Sequence, residues 1–146
     1  MKVNKDIWVV TMDLGYKMWD QIRDDFPDRF INVGAAEQAG MGIACGLALE
    51  GKIPFVYSIT SFLLYRPFET IRTYINHEKI NVKLVGSGRG ADYHVDGFSH
   101  FAGDDEATMK LFPNIVSWWP VDKEMIPNAV KAMVKNGKPT YINLKR

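Results

Sequence analysis

Short apolar runs recur along the chain, separated by stretches with helical spacing. Ile7 to Thr11 reads as a first strand, and Trp19 to Phe26 as a helix stopped by Pro27. Phe30 to Val33 is a second strand. A helix follows from Glu37 to Glu50, capped by Gly51. Ile53 to Ile59 is a third strand. Phe62 to Asn76 is helical, with Pro67 near its start, where a first turn tolerates proline. Val82 to Gly86 is a fourth strand, followed by a long polar stretch, Ser87 to His100. Ala102 to Phe112 predicts a helix and Ile115 to Trp119 a fifth strand. Asp122 is expected to cap a helix running through Val134, and Gly137-Lys138-Pro139 turns into a last strand, Thr140 to Leu144.

Apolar strands alternating with crossover helices predict an α/β fold. A three-layer α/β/α architecture with a mostly parallel sheet of about six strands follows. In such sheets ligands bind outside the C-terminal strand ends. Asp13, Glu37, Ser58 to Thr60 and Gly86 to His100 all come just after strands. No repeat, linker or low-complexity segment divides the chain, so residues 1–146 are expected to form one domain.

Composition narrows the function classes. The apolar fraction is 47%, the charged fraction 24% and the formal net charge +1, which gives no electrostatic reason for nucleic acid or a membrane surface as partner. No run approaches the roughly 18 apolar residues of a membrane span. The start, Met1 to Asp6, lacks the apolar region of a signal peptide. The one cysteine, Cys45, cannot form an internal disulfide and sits among small apolar helix residues, where a buried core thiol is expected. A cytoplasmic location is the expectation.

The candidate chemistry centres on Glu37. Its helix, Glu-Gln-Ala-Gly-Met-Gly-Ile-Ala-Cys-Gly-Leu-Ala-Leu, is rich in Gly and Ala, each interior Gly costing roughly 1 kcal/mol relative to Ala. Such a helix suits close packing against another element. A carboxylate in its first turn is the odd residue: the helix dipole favours its charge and burial opposes it. On the local pattern alone, a glutamate that merely complements the dipole is an equal alternative.

Several motifs in order resemble the pyrimidine-binding domain of transketolase-like thiamine diphosphate enzymes, from the first strand to the C-terminus. The family's strand, Gly, two residues, Glu and small-residue helix is matched by Asn32 to Met41. Its aromatic segment and Arg-Pro are matched by Thr60 to Glu69. The Glu-Asp-Gly-x-Thr-His segment is echoed by Val95 to His100. The late Pro-Asn strand and Pro-x-Asp are matched by Pro113 to Ile115 and Pro120 to Asp122. The closing Gly-x-Pro, strand and Arg are matched by Gly137 to Arg146.

The resemblance implies roles residue by residue. In the family the glutamate at Glu37 hydrogen-bonds N1′ of the cofactor's aminopyrimidine. It shifts the ring to its imino form, whose 4′-nitrogen takes the proton from C2 of the thiazolium. Ile59, Phe62 and Tyr65 fall where the family surrounds the pyrimidine with apolar and aromatic groups; ordinary core packing is the alternative for the two aromatics. Asp96 and His100 match the pair that faces the substrate. Asp13 matches a substrate-side aspartate, with capping of the following turn as the alternative. Arg146 aligns with an arginine that binds substrate phosphate. Where transketolases carry a histidine after the fourth strand, this chain has Gly88 and then Arg89, an added substrate-side candidate. Gly15-Tyr16-Lys17 replaces a phosphate-contacting serine segment, so the substrate end departs from a standard sugar-phosphate transketolase. Tyr93 and His94 have no family counterpart and read either as new contacts or as a solvated loop.

The family holds the cofactor's diphosphate through Mg²⁺ on a Gly-Asp-Gly segment, which this sequence lacks. Gly103 to Glu106 is acidic but reads as a helix N-terminus. The chain also ends where the family's third domain would begin. The resemblance therefore implies a small subunit of a split enzyme. A diphosphate-binding partner would complete the site, as an α2β2 heterotetramer acting on a sugar or ketose. The alternatives are a split 2-oxoacid decarboxylase and a non-catalytic assembly subunit that retains the fold.

Overall fold

The computed structural model describes residues 1–146. Six strands form one sheet in the order β2-β1-β3-β4-β6-β5, and every pairing is parallel. The strands are β1 (Ile7–Thr11), β2 (Phe30–Asn32), β3 (Ile53–Ile59), β4 (Lys83–Ser87), β5 (Val116–Trp118) and β6 (Thr140–Leu144). The helices are α1 (Asp20–Asp25), α2 (Glu37–Leu49), α3 (Thr60–Tyr65), α4 (Phe68–Thr70), α5 (Asp105–Met109) and α6 (Ile126–Lys135). The predicted α/β architecture and parallel sheet are present. No helix is long and apolar enough to cross a membrane.

Alternation along each strand serves both faces of the sheet. Val10, Val56, Leu84 and Tyr141 point into a core with Met41 and Ala44 of α2, Leu63 and Leu64 of α3, and Phe112. Their neighbours Val9, Phe55, Val85 and Ile142 face the other way, toward Ile22 of α1 and Val130 and Met133 of α6. That face keeps an entirely apolar cavity of about 290 Å³, with no polar group to orient a substrate. Cys45 is buried in the core, and burial pushes its thiol up to about 11.

The small-residue helix packs closely on one side only. A Cβ on Gly40 would meet Met12 Cε at 2.8 Å and Val33 Cγ2 at 3.0 Å, whereas Gly42 and Gly46 face open space. Gly40 thus lets α2 lie against the segment after β1. Glycine costs a helix stability, and burial of Met41 and Ala44 beside it offsets that cost.

Three expected helices differ. The Phe62–Asn76 helix begins at Thr60 and breaks at Arg66-Pro67, because proline offers no N–H and crowds the preceding turn. It resumes as α4 and then as a π-helix, Ile71–His77. The expected Ala102–Phe112 helix is the short α5. Asp122 makes no side-chain cap; a 3-10 turn, Lys123–Met125, leads into α6 instead, with Pro127 in its first turn.

The register aligns the strand ends. Thr11 is level with Tyr57, and Ile59, Ser87 and Leu144 form one row across β3, β4 and β6. Everything that follows these residues emerges on one edge. The chain reverses its direction of winding between β1 and β3, a topological switch point where the two outgoing loops part.

Candidate active site

Glu37 opens α2 after a turn at Gly34, whose φ of +68° suits glycine. Its side chain is 3% exposed. The helix's own free N–H groups favour a negative charge there. The main compensation comes from Arg66, at the end of α3: its Nη1 donates to both carboxylate oxygens, at 2.7 and 2.8 Å. The guanidinium also lies 3.7 Å above the Phe62 ring centroid, in cation–π geometry. Glu37, Arg66 and Phe62 therefore form one stacked unit, buried at the carboxylate and half-exposed at the arginine.

A pocket of about 220 Å³ opens against this unit at the switch point. Met12, Asp13 and Leu14 line it from the end of β1, Ser58 and Ile59 from the end of β3, and Ala35, Glu37, Phe62 and Arg66 complete it. It offers one buried acceptor between apolar and aromatic walls. That combination fits a flat heterocycle with a polar edge, such as an aminopyrimidine: the ring stacks and the carboxylate meets an edge nitrogen.

The structure brings four of the predicted residues to this pocket: Glu37, Ile59, Phe62 and Asp13. Asp13 has φ +52°, and it is Asn32 that holds the turn, its Oδ1 accepting from the N–H groups of Asp13 and Gly34. His100 is a direct neighbour. Its ring packs edge-on to Phe62, 4.7 Å between centroids, and its Nδ1 is 3.0 Å from Ser99 Oγ. Ser61 Oγ donates to the Ser99 carbonyl, which ties the His100 turn to α3. Asp96 lies in the adjacent 3-10 turn, His94–Asp96, exposed and without a side-chain partner.

Tyr65 is not brought to the pocket. It faces α5, where its hydroxyl is 3.1 Å from Thr108 Oγ1, and burial raises it to about 12. The packing of α5 against α3 supplies that partner. Arg89 and Arg146 lie on the far side of the polar loop. Arg89 Nη2 donates to the Asn143 carbonyl at 2.6 Å, and the Arg146 guanidinium lies 4.8 Å over the Tyr93 ring. Asp92 joins the two backbones by accepting from the N–H groups of both arginines. Burial works to raise its carboxyl, but those hydrogen bonds and the nearby cations outweigh it and leave it lowered. Tyr93 is no solvated loop residue: its hydroxyl is 2.8 Å from Ser87 Oγ.

Arg66 and Asn32 are the residues that sequence reasoning passed over. Both stood inside quoted motifs without a role. A cation in a helix otherwise given over to core and aromatic residues was the available signal for Arg66.

The whole chain, residues 1–146, matches the family model described as transketolase, pyrimidine binding domain. It is 32% identical over 145 residues to a 6-deoxy-6-sulfo-D-fructose transketolase subunit of Clostridium sp., covering 97% of this chain and 45% of that one. It is 35% identical over 120 residues to an apulose-4-phosphate transketolase subunit of Actinobacillus succinogenes, covering 82% of this chain and 39% of the relative. A solved split-gene transketolase, an inactive β4 tetramer, superposes with a TM-score of 0.85 at 37% identity, over 99% of this chain and 47% of that one. The chain thus spans less than half the length of these relatives. Fold, motif order and sequence agree: the chain belongs to the transketolase pyrimidine-binding domain family.

Proposed function

We propose that this chain supplies the pyrimidine-binding half of a thiamine diphosphate site in a two-subunit, transketolase-like enzyme that transfers a two-carbon ketol unit between sugar-like substrates. The observation that carries the proposal is the buried carboxylate of Glu37 at the floor of a pocket walled by Ile59 and Phe62. Thiamine diphosphate, when bound, supplies the carbon nucleophile that adds to a carbonyl. The chain's own residues do the rest. Glu37 holds the proton it shares with N1′ of the aminopyrimidine. Phe62 and Ile59 would give the ring apolar walls and keep water from that hydrogen bond. Arg66 takes one acceptor site on each Glu37 oxygen, and the carboxylate keeps others that would serve N1′.

His100, fixed against Phe62, is the proton-handling group toward a substrate hydroxyl, with Asp96 and Asp13 as recognition groups. Arg89 and Arg146 present cations for an anionic end of the substrate. The diphosphate and Mg²⁺ fall to a partner subunit in an α2β2 assembly. The split-gene relative described as an inactive β4 tetramer supports this: a single kind of chain there makes a tetramer without activity.

Replacing Glu37 by Gln in the reconstituted two-subunit complex tests the reading. Turnover should fall by about 10²–10⁴-fold, the usual contribution of a positioned acid–base group; undiminished turnover refutes it. Calorimetric titration of thiamine diphosphate and Mg²⁺ should give binding only when both subunits are present.

A further inference from the structure

Beneath the polar loop lies a second buried carboxylate, outside the pocket just described. Asp105, the first residue of α5, is 3% exposed. Its Oδ2 receives three donors: Trp119 Nε1 at 2.7 Å, Tyr141 Oη at 2.7 Å and Asn143 Nδ2 at 2.6 Å. No cation pairs with it.

Chemistry fixes the direction of each bond. An indole N–H and an amide nitrogen only donate, so Oδ2 accepts from both. Asn143 is fully buried and must turn its NH2 group toward Asp105. Its Oδ1 then faces the opposite way, toward Arg89 Nε at 3.4 Å, while its carbonyl accepts from Arg89 Nη2. A flipped amide would set oxygen against carboxylate at one end and N–H against guanidinium at the other. The same NH2 group lies 3.4 Å from Thr60 Oγ1, whose proton goes to the Ser87 and Gly88 carbonyls. Arg89 makes no ion pair, and its Nη1 has no protein partner.

We propose that Asp105 is a positioning residue for Arg89: by accepting from Asn143 it keeps the amide Oδ1 turned toward Arg89 Nε, which adds a side-chain acceptor to the bond that Nη2 gives the Asn143 backbone carbonyl. One terminal nitrogen of Arg89, Nη1, keeps no protein partner and is free for an anionic group. The recognition of substrate by Arg89 rests on the function proposed above; its anchoring by Asp105 does not.

Hydrogen exchange of the arginine Nε–H groups in the isotope-labelled full chain tests the anchoring, with the Arg89 signal assigned from its loss in Arg89→Lys. Arg89 should exchange at least about tenfold more slowly than Arg72, which is exposed and has no partner. Asp105→Asn retains an acceptor and should retain the protection. Asp105→Leu removes it: the Tyr141 hydroxyl, deprived of its acceptor, takes Asn143 Oδ1 instead, the amide flips away from Arg89, and Arg89 should exchange as fast as Arg72. Protection that survives in folded Asp105→Leu, or vanishes in Asp105→Asn, overturns the proposal. Should Asp105→Leu not fold, Asn143→Leu leaves Asp105 its other two donors and must likewise release Arg89; retained protection there overturns the proposal as well. In the two-subunit complex, Asp105→Leu should raise KM by the same factor as Arg89→Ala, with kcat little changed and no further rise in the double variant. Exchange that follows Asp105 while KM does not would keep the anchoring and remove Arg89 from substrate recognition.

Discussion

Replacing Arg66 by Met tests the ion pair on which the pocket is built. Methionine keeps an apolar stem over Phe62 and removes the only cation within reach of Glu37. The size of the effect follows from burial. A fully exposed pair is worth at most about 1 kcal/mol, whereas removing one partner of a buried pair costs about 3–5 kcal/mol. Glu37 is 3% exposed and Arg66 45%, so water screens one side of the interaction. The expected loss lies between the two limits, about 2 kcal/mol. For a domain of this size that lowers Tm by roughly 4–8 °C. Urea unfolding of the wild-type chain, Arg66→Met, Glu37→Gln and the double variant gives the coupling directly. Glu37→Gln should be far milder than Arg66→Met, because a neutral amide needs no cation. Arg66→Met within about 0.5 kcal/mol of wild type would show that solvent compensates Glu37 and that the stacked unit is not a structural element.

Two further predictions concern the sheet. Lys83 is fully buried on β4, donates to Asn136 Oδ1 and the Lys138 carbonyl, and burial lowers it to about 8 from 10.5. Between those values the unfolded chain holds a proton that the folded chain has released, so stability should rise with pH, by about 1 kcal/mol from pH 7.5 to 9. Cys45, raised by burial, opposes this above pH 9; a rise that persists unchanged in Lys83→Met removes Lys83 as its source. Gly86→Ala places a Cβ 2.5 Å from Thr60 Oγ1, which is itself buried and bonded to the Gly88 carbonyl. It should cost about 1–3 kcal/mol by overpacking, measured as a fall in the urea midpoint, and an unchanged midpoint would mean that Thr60 can move freely.

The order of strands and helices and the parallel sheet were legible in the sequence, as was Glu37 as the odd charge of its helix. Each rests on local information: apolar runs bounded by turn residues, glycine at a forced turn, and a charge that does not fit the helix around it. Last-strand bounds of Thr140 to Leu144 could be read without coordinates because Pro139 and a β-rich run mark them. What local pattern could not decide was pairing between segments remote in sequence. Arg66 lies 29 residues from Glu37, and Asn143 lies 38 from Asp105 and 54 from Arg89. A carboxylate's partner depends on which side chains the sheet order carries to one edge, and that order, with β3 beside β1 and β6 between β4 and β5, is set by packing of the whole. The same holds for Tyr65. Its residue type and spacing suit a cofactor wall, but its hydroxyl meets Thr108 of α5, 43 residues along the chain, and only the tertiary structure brings α5 there.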